Sequence, residues 1–190
     1  MSKTTLKKEL KSMTAQQMSQ VILDLYEANK EAREYLEFFL DPDEEKLYGK
    51  YTALLSKEIF RGKHYKSTAR ISVIRKIIKR FDSFGTSPEY RLRILEYAAG
   101  NLMAASGIKA FSTQLFNGMR NLFCNMVVLA EKNMMFDRGM KSITALLESN
   151  YCRPTVRDFL WEGISDTLDE LNIHPGLNAD NGDKSVQTQQ

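Results

Sequence analysis

The chain has 190 residues, 43% of them hydrophobic and 27% charged, and its 27 basic and 24 acidic side chains leave a formal net charge of +3. A chain of this length can bury roughly 70% of the surface it exposes when unfolded. With ten glycines, four prolines and two cysteines, collagen-like, disulfide-scaffold and wholly disordered classes are excluded.

The first residues, from Met1 to Glu9, reach charge before any apolar stretch forms, so no signal peptide is expected. Helix starts follow, where an oxygen-bearing side chain can accept from backbone N–H groups that lack a partner in the first turn. Thr14 with Gln17 fits a capping box, and Met18, Val21, Ile22, Leu25 and Tyr26 then recur at helical spacing. Asp41 is expected to cap a helix with Pro42 in its first position, and Asp43, Glu44 and Glu45 place negative charge where the helix dipole favours it. Ser67 is expected to open the next helix, Ser87 with Pro88 and Glu89 another, and Asp137 and Thr155 two more. Gly62, Gly85, Gly107 and Asn150 punctuate the intervals, which implies helical hairpins joined by short turns. No run alternates with period two, so a sheet has no sequence to build it.

These signals predict an all-α fold of about eight helices, either an irregular helical superhelix or a multi-helix bundle, forming one domain over residues 1–174. Residues 175–190 are polar and are expected to be a disordered tail. The longest apolar tract, from Met126 to Ala130, is far short of the roughly 20 residues a bilayer needs, so no membrane partner is expected. Cys124 and Cys152 stand outside any Cys-x-x-Cys pair, which points to a reducing, cytoplasmic compartment and to no structural zinc.

Charge is uneven along the chain. Residues 59–81 carry eight basic side chains and no acidic one, whereas residues 150–190 carry three basic and seven acidic. On a helix, Ile71, Ile74, Ile77, Ile78 and Phe81 gather on one face while Arg75, Lys76, Lys79 and Arg80 fall on the other. Arg61, Lys63, His64 and Lys66 lie just before this helix, so its N-terminal end combines cations with free backbone N–H groups, as a phosphate site would. The candidate anion or nucleic-acid site is therefore Arg61, Lys63, Lys66, Arg70, Arg75, Lys76, Lys79 and Arg80; the competing reading is a solvated helix face. Tyr35, Phe38, Phe39, Tyr48, Tyr51 and Phe60 could stack bases beside it, but their helical spacing suits a core or a partner groove. Met103, Met119, Met126, Met134, Met135 and Met140 read as core fillers.

Catalysis has little to stand on. The two histidines, His64 and His174, fall in the basic turn and beside the tail, and Cys124 sits in a stretch that reads as buried helix. Asp166, Asp169 and Glu170 read as the wet face of a helix whose apolar side is Phe159, Leu160, Ile164, Leu168 and Leu171. No catalytic set, metal ligand set or cofactor motif is expected.

The opening segment, Ser2 to Met13 followed by Ile22, Leu23, Asp24, Leu25, Tyr26 and Glu27, resembles an uncharacterised bacterial family of helical proteins described as a domain of unknown function. That resemblance implies a helical fold and a bacterial cytoplasmic setting, and no activity. The Leu-x-x-Glu-Leu-Lys pattern of Leu6 to Lys11, with Ile22 to Leu25, is also similar to SAP-type DNA-binding helical hairpins, with Thr14 to Gln17 in place of the usual turn glycine. The expected function is a non-enzymatic helical module that binds another protein, with nucleic-acid or phosphate-ligand binding through residues 61–80 as the alternative.

Overall fold

The computed structural model describes residues 2–62 and 65–173. The expected disorder of 175–190, and the positions of Lys63, His64 and His174, lie outside the described residues. Among them the fold is all-α, with nine helices and one isolated parallel bridge between Lys66 and Ala110. The chain falls into two compact units, Met1–Lys46 and Leu47–Gln190. The sequence reading of one domain over 1–174 marks no such division, because the boundary falls within the first turn of a helix.

The first unit holds α1 (Lys3–Ser12), α2 (Ala15–Ala28) and α3 (Lys30–Leu40). Each starts on a side-chain cap. Ser2 accepts from the Thr5 amide, Thr14 and Gln17 form the expected capping box, and Asn29 Oδ1 accepts from the amides of Glu31 and Ala32 at 2.8 and 3.1 Å. The α2–α3 hairpin is clasped by polar contacts: the Arg33 guanidinium lies 5.0 Å from the Tyr26 ring centre, and the Tyr26 hydroxyl donates to Glu37 at 3.0 Å. None of α1, α2 or α3 contains a buried residue.

α4 (Glu44–Ile59) opens on Asp43, whose Oδ1 accepts from the Lys46 amide at 2.9 Å, and not on Asp41, which closes α3. The second unit continues with α5 (Ile71–Asp82), α6 (Pro88–Ile108), α7 (Thr113–Lys132), α8 (Phe136–Leu147) and α9 (Pro154–Glu170). α7 is the centre, with α5, α6, α8 and α9 all packed against it, so this unit is a bundle and not an open superhelix. Its interior is filled by Leu55, Ile59, Ile74, Phe81, Leu92, Leu102, Met119, Phe123, Met126, Ile143, Leu160 and Ile164. Tyr51 meets Phe81 and Phe84 edge-on at 5.6 and 5.9 Å, which places this aromatic in the core and away from any base-stacking role.

Met103, Met119 and Met126 are buried as expected, but Met134 is 97% exposed on the α7–α8 turn, where it adopts φ +55°. α6 starts at Ser87 and Pro88 as expected, and Gly85 turns the chain before it with φ +74°. α8 and α9 begin one residue earlier than Asp137 and Thr155, at Phe136 and Pro154, and Gly107 lies inside the last turn of α6. The larger departure is α5. It begins at Ile71, four residues after Ser67, because residues 65–67 pair with a distant strand-like segment: the Ser67 amide donates to Ala110 O at 3.0 Å and the Ala110 amide to Tyr65 O at 2.9 Å. A tertiary contact overrides the local cap signal here. No helix among the described residues is long and apolar enough to cross a membrane.

Candidate interaction surfaces

The face assignment of α5 holds side chain by side chain. Ile71, Ile74, Ile78 and Phe81 are buried and Ile77 is half-buried, while Arg75, Lys76 and Lys79 are exposed. These three cations make no ion pair among the described residues. Arg80 is half-buried, with its guanidinium 5.0 Å from the Phe84 ring centre.

The N-terminal end of α5 differs from the expected phosphate site, because the protein supplies its own anion there. Glu58, buried near the end of α4, accepts from the Arg70 amide and from Arg70 Nε, both at 2.9 Å, and its other oxygen accepts from Arg70 Nη2 at 2.9 Å. The bidentate Arg70 guanidinium holds the Glu58 carboxyl below the usual carboxylate value against the opposing pull of burial, and the charge of Arg61 adds to the effect. The proposed patch over 61–80 therefore divides. Arg61 and Arg70 attend Glu58, exposed Lys66 sits at the bridge to Ala110, and Arg75, Lys76 and Lys79 alone form an outward cationic face.

A further cation that the sequence reading passed over, Lys109, secures the same loop. Its ammonium donates to the carbonyls of Gly62 at 2.8 Å and Arg61 at 3.1 Å, closing the C-terminal end of α4. Gly62 has φ +83°, and Thr68 Oγ1, which donates to Arg61 O at 3.0 Å, would lie 2.7 Å from any Cβ placed there. Neither Glu58 nor Lys109 stands at a periodic spacing from its partner, so only the folded chain reveals them.

Arg70→Ala should lower stability at neutral pH, by less than the loss of a fully buried pair would, because the guanidinium is half-exposed. Since folding lowers the Glu58 pKa, the pair contributes fully above the unfolded value of 4.5 and fades as pH falls through the lower folded value. The difference between parent and variant, measured by urea unfolding, should therefore be flat down to about pH 5 and shrink below it.

The first unit carries a different surface. Met18, Val21, Ile22 and Leu25 follow one another at i, i+3, i+4 and i+7 on α2, and all four are exposed, with Ile22 at 49% and Leu25 at 50%. Phe39 and Leu40 at the end of α3 are 68% and 79% exposed, where the sequence reading placed Phe39 in a core or groove. An apolar stripe that in most domains faces a core faces solvent here.

Cys124 is half-buried with its thiol donating to Gly163 O at 3.3 Å, and burial pushes the Cys152 thiol up, away from the reactive thiolate. Asp166 pairs with Arg120 at 2.7 Å, while Asp169 and Glu170 are exposed on the wet face of α9. No group of three His, Cys, Asp or Glu side chains among the described residues is arranged to hold a metal ion.

Searches of curated proteins and of solved structures give no match to this chain. The sequence-family model described as a family of unknown function, DUF6155, matches residues 1–167. That span takes in all of the first unit and of the second as far as the last turn of α9, and the chain therefore belongs to the DUF6155 family of unknown function.

Proposed function

We propose that the protein is a non-enzymatic helical interaction module whose α2 helix docks in an apolar groove of another protein. The observation that carries this reading is the exposed Met18, Val21, Ile22 and Leu25 series, whose i, i+3, i+4, i+7 spacing is that of helices laid into grooves. A three-helix unit without a buried side chain gains little from its own packing, so apolar surface covered by a partner is its main available source of hydrophobic stabilisation. The bacterial, cytoplasmic setting implied by the opening segment belongs to this reading.

A second reading, nucleic-acid or phosphate-ligand binding, is favoured by the exposure of Arg75, Lys76 and Lys79 without ion pairs, and it uses that face and not the start of α5. One experiment separates the two. The tagged chain is crosslinked in its native cells and its partners are compared between variants. Ile22→Glu with Leu25→Glu should lose the protein partner while leaving the unfolding of the second unit within about 0.5 kcal/mol of the parent. Arg75→Ala with Lys76→Ala and Lys79→Ala should keep that partner. If instead the apolar variant keeps every partner and the triple variant loses nucleic acid, with a salt slope reduced by about one for each cation removed, the second reading replaces the first.

A further inference from the structure

We infer that the cleft between the end of α8 and the first turns of α9 is a docking site for an arginine or lysine side chain of a partner polypeptide. Both helices pack on α7, and the space left between them is a cavity of about 330 Å³ lined by Thr144, Leu147, Glu148, Arg157, Asp158 and Trp161. The chain has one tryptophan, and it stands here 45% exposed. An indole is the best of the aromatic rings for holding a cation over its face, and this one lines the cleft with its ring accessible from solvent.

The charges around the ring select the sign of the occupant. Glu148 and Asp158 are exposed on opposite walls, and neither makes an ion pair among the described residues. The one cation in the wall, Arg157, is already engaged: its Nε donates to Leu147 O at 2.9 Å, so its charge rests on the last carbonyl of α8. Arg157 thus ties the start of α9 to the end of α8, and the cleft sets two carboxylates against this one guanidinium. Leu147 and Thr144 give the aliphatic stem of a long cationic side chain an apolar wall, which a compact inorganic cation would leave unused.

Beyond the cleft along α9, Glu162 and Asp166 are met by Arg120, but Asp169 and Glu170 are exposed, so a segment with more than one basic residue matches this face better than a lone ammonium. This surface is separate from the α2 stripe and from the α5 cations, and the inference stands or falls without them.

Trp161, as the only indole, makes the test direct. An acetylated, amidated tetra-arginine peptide is titrated into the full chain while indole emission is followed, with tetra-serine and arginine amide as controls. The expected result is a saturable change in emission with tetra-arginine, weakened by added salt, and at least about tenfold weaker binding of arginine amide. Glu148→Gln with Asp158→Asn should weaken tetra-arginine binding about tenfold, and Trp161→Leu should weaken it about threefold when followed by calorimetry, with all variants keeping the parental circular dichroism. Absence of saturable binding, equal binding of tetra-serine, or unchanged affinity in the carboxamide variant would overturn the site. Equal affinity for arginine amide would overturn its assignment to a polypeptide.

Discussion

Ile74→Asp should destabilise the second unit by about 4 kcal/mol, whereas Lys76→Asp, two positions along the same helix, should change its stability by about 0.5 kcal/mol or less. Ile74 is fully buried in α5, so a carboxylate placed there loses its hydration and has no cation to meet, because the basic residues of α5 leave on the opposite side. The new group would have its pKa raised by folding. Its cost should therefore be smallest at acid pH, where it enters protonated and the loss is mainly that of the isoleucine's burial, and should deepen as pH rises through about 4, the ordinary aspartate value. Lys76 is exposed and unpaired, and reversing its charge disturbs only screened surface interactions. Trp161 emission reports on the unit that contains both sites, so urea unfolding of the two variants can be read from one probe. Equal losses from the two variants would refute the assignment of a buried and a wet face to α5.

That contrast rests on the part of the fold most legible in the sequence. The apolar face of α5 recurs every three or four residues over eleven positions, and periodicity of that length survives whatever the neighbouring helices do. Thr14 with Gln17 was legible for a related reason, since that cap is satisfied within three residues of its own position, and Pro88 marks the start of α6 because its fixed φ suits the first helical position. Ser67 carries the same local signal and opens no helix, because the Ala110 segment claims its backbone amide first. Asn29 and Ser112 cap α3 and α7 without standing out in the sequence, as polar residues between helices are common and only the bonds from Asn29 Oδ1 and Ser112 Oγ give them that role.

The candidate surfaces were legible to a smaller extent. A run of eight cations announces positive charge but not which of them face the protein's own carboxylate, and Glu58 lies twelve residues from Arg70 on another helix. The α2 pattern announces an apolar stripe without saying what covers it; the same letters would describe a core helix, and only the exposure of Ile22 and Leu25 separates it from one. The α8–α9 cleft has no sequence signature, because Trp161 and Glu148 meet only through the packing of both helices on α7.

The packing of α8 on α7 leads to the second large effect, a loss of about 2 kcal/mol from Gly139→Ala. Gly139 lies in the first turn of α8, and a Cβ added there would clash with the Ala130 Cβ of α7. Ala130 has no rotamer to change, so the helices themselves must part. The short turn between them limits that movement: the Met135 amide donates to Ala130 O at 2.8 Å, and the Gly139 amide to Met135 O at 2.9 Å. Overpacking of up to about 3 kcal/mol is offset by about 1 kcal/mol of better helix propensity, which leaves the net loss. Ala130→Gly alone should cost about 1 kcal/mol through propensity. Combined with Gly139→Ala it returns the missing space, and the double variant should lie within about 1 kcal/mol of the parent, a coupling of about 2 kcal/mol in its favour. Additive losses in this cycle, measured by urea unfolding, would show that the two helices do not meet at this pair.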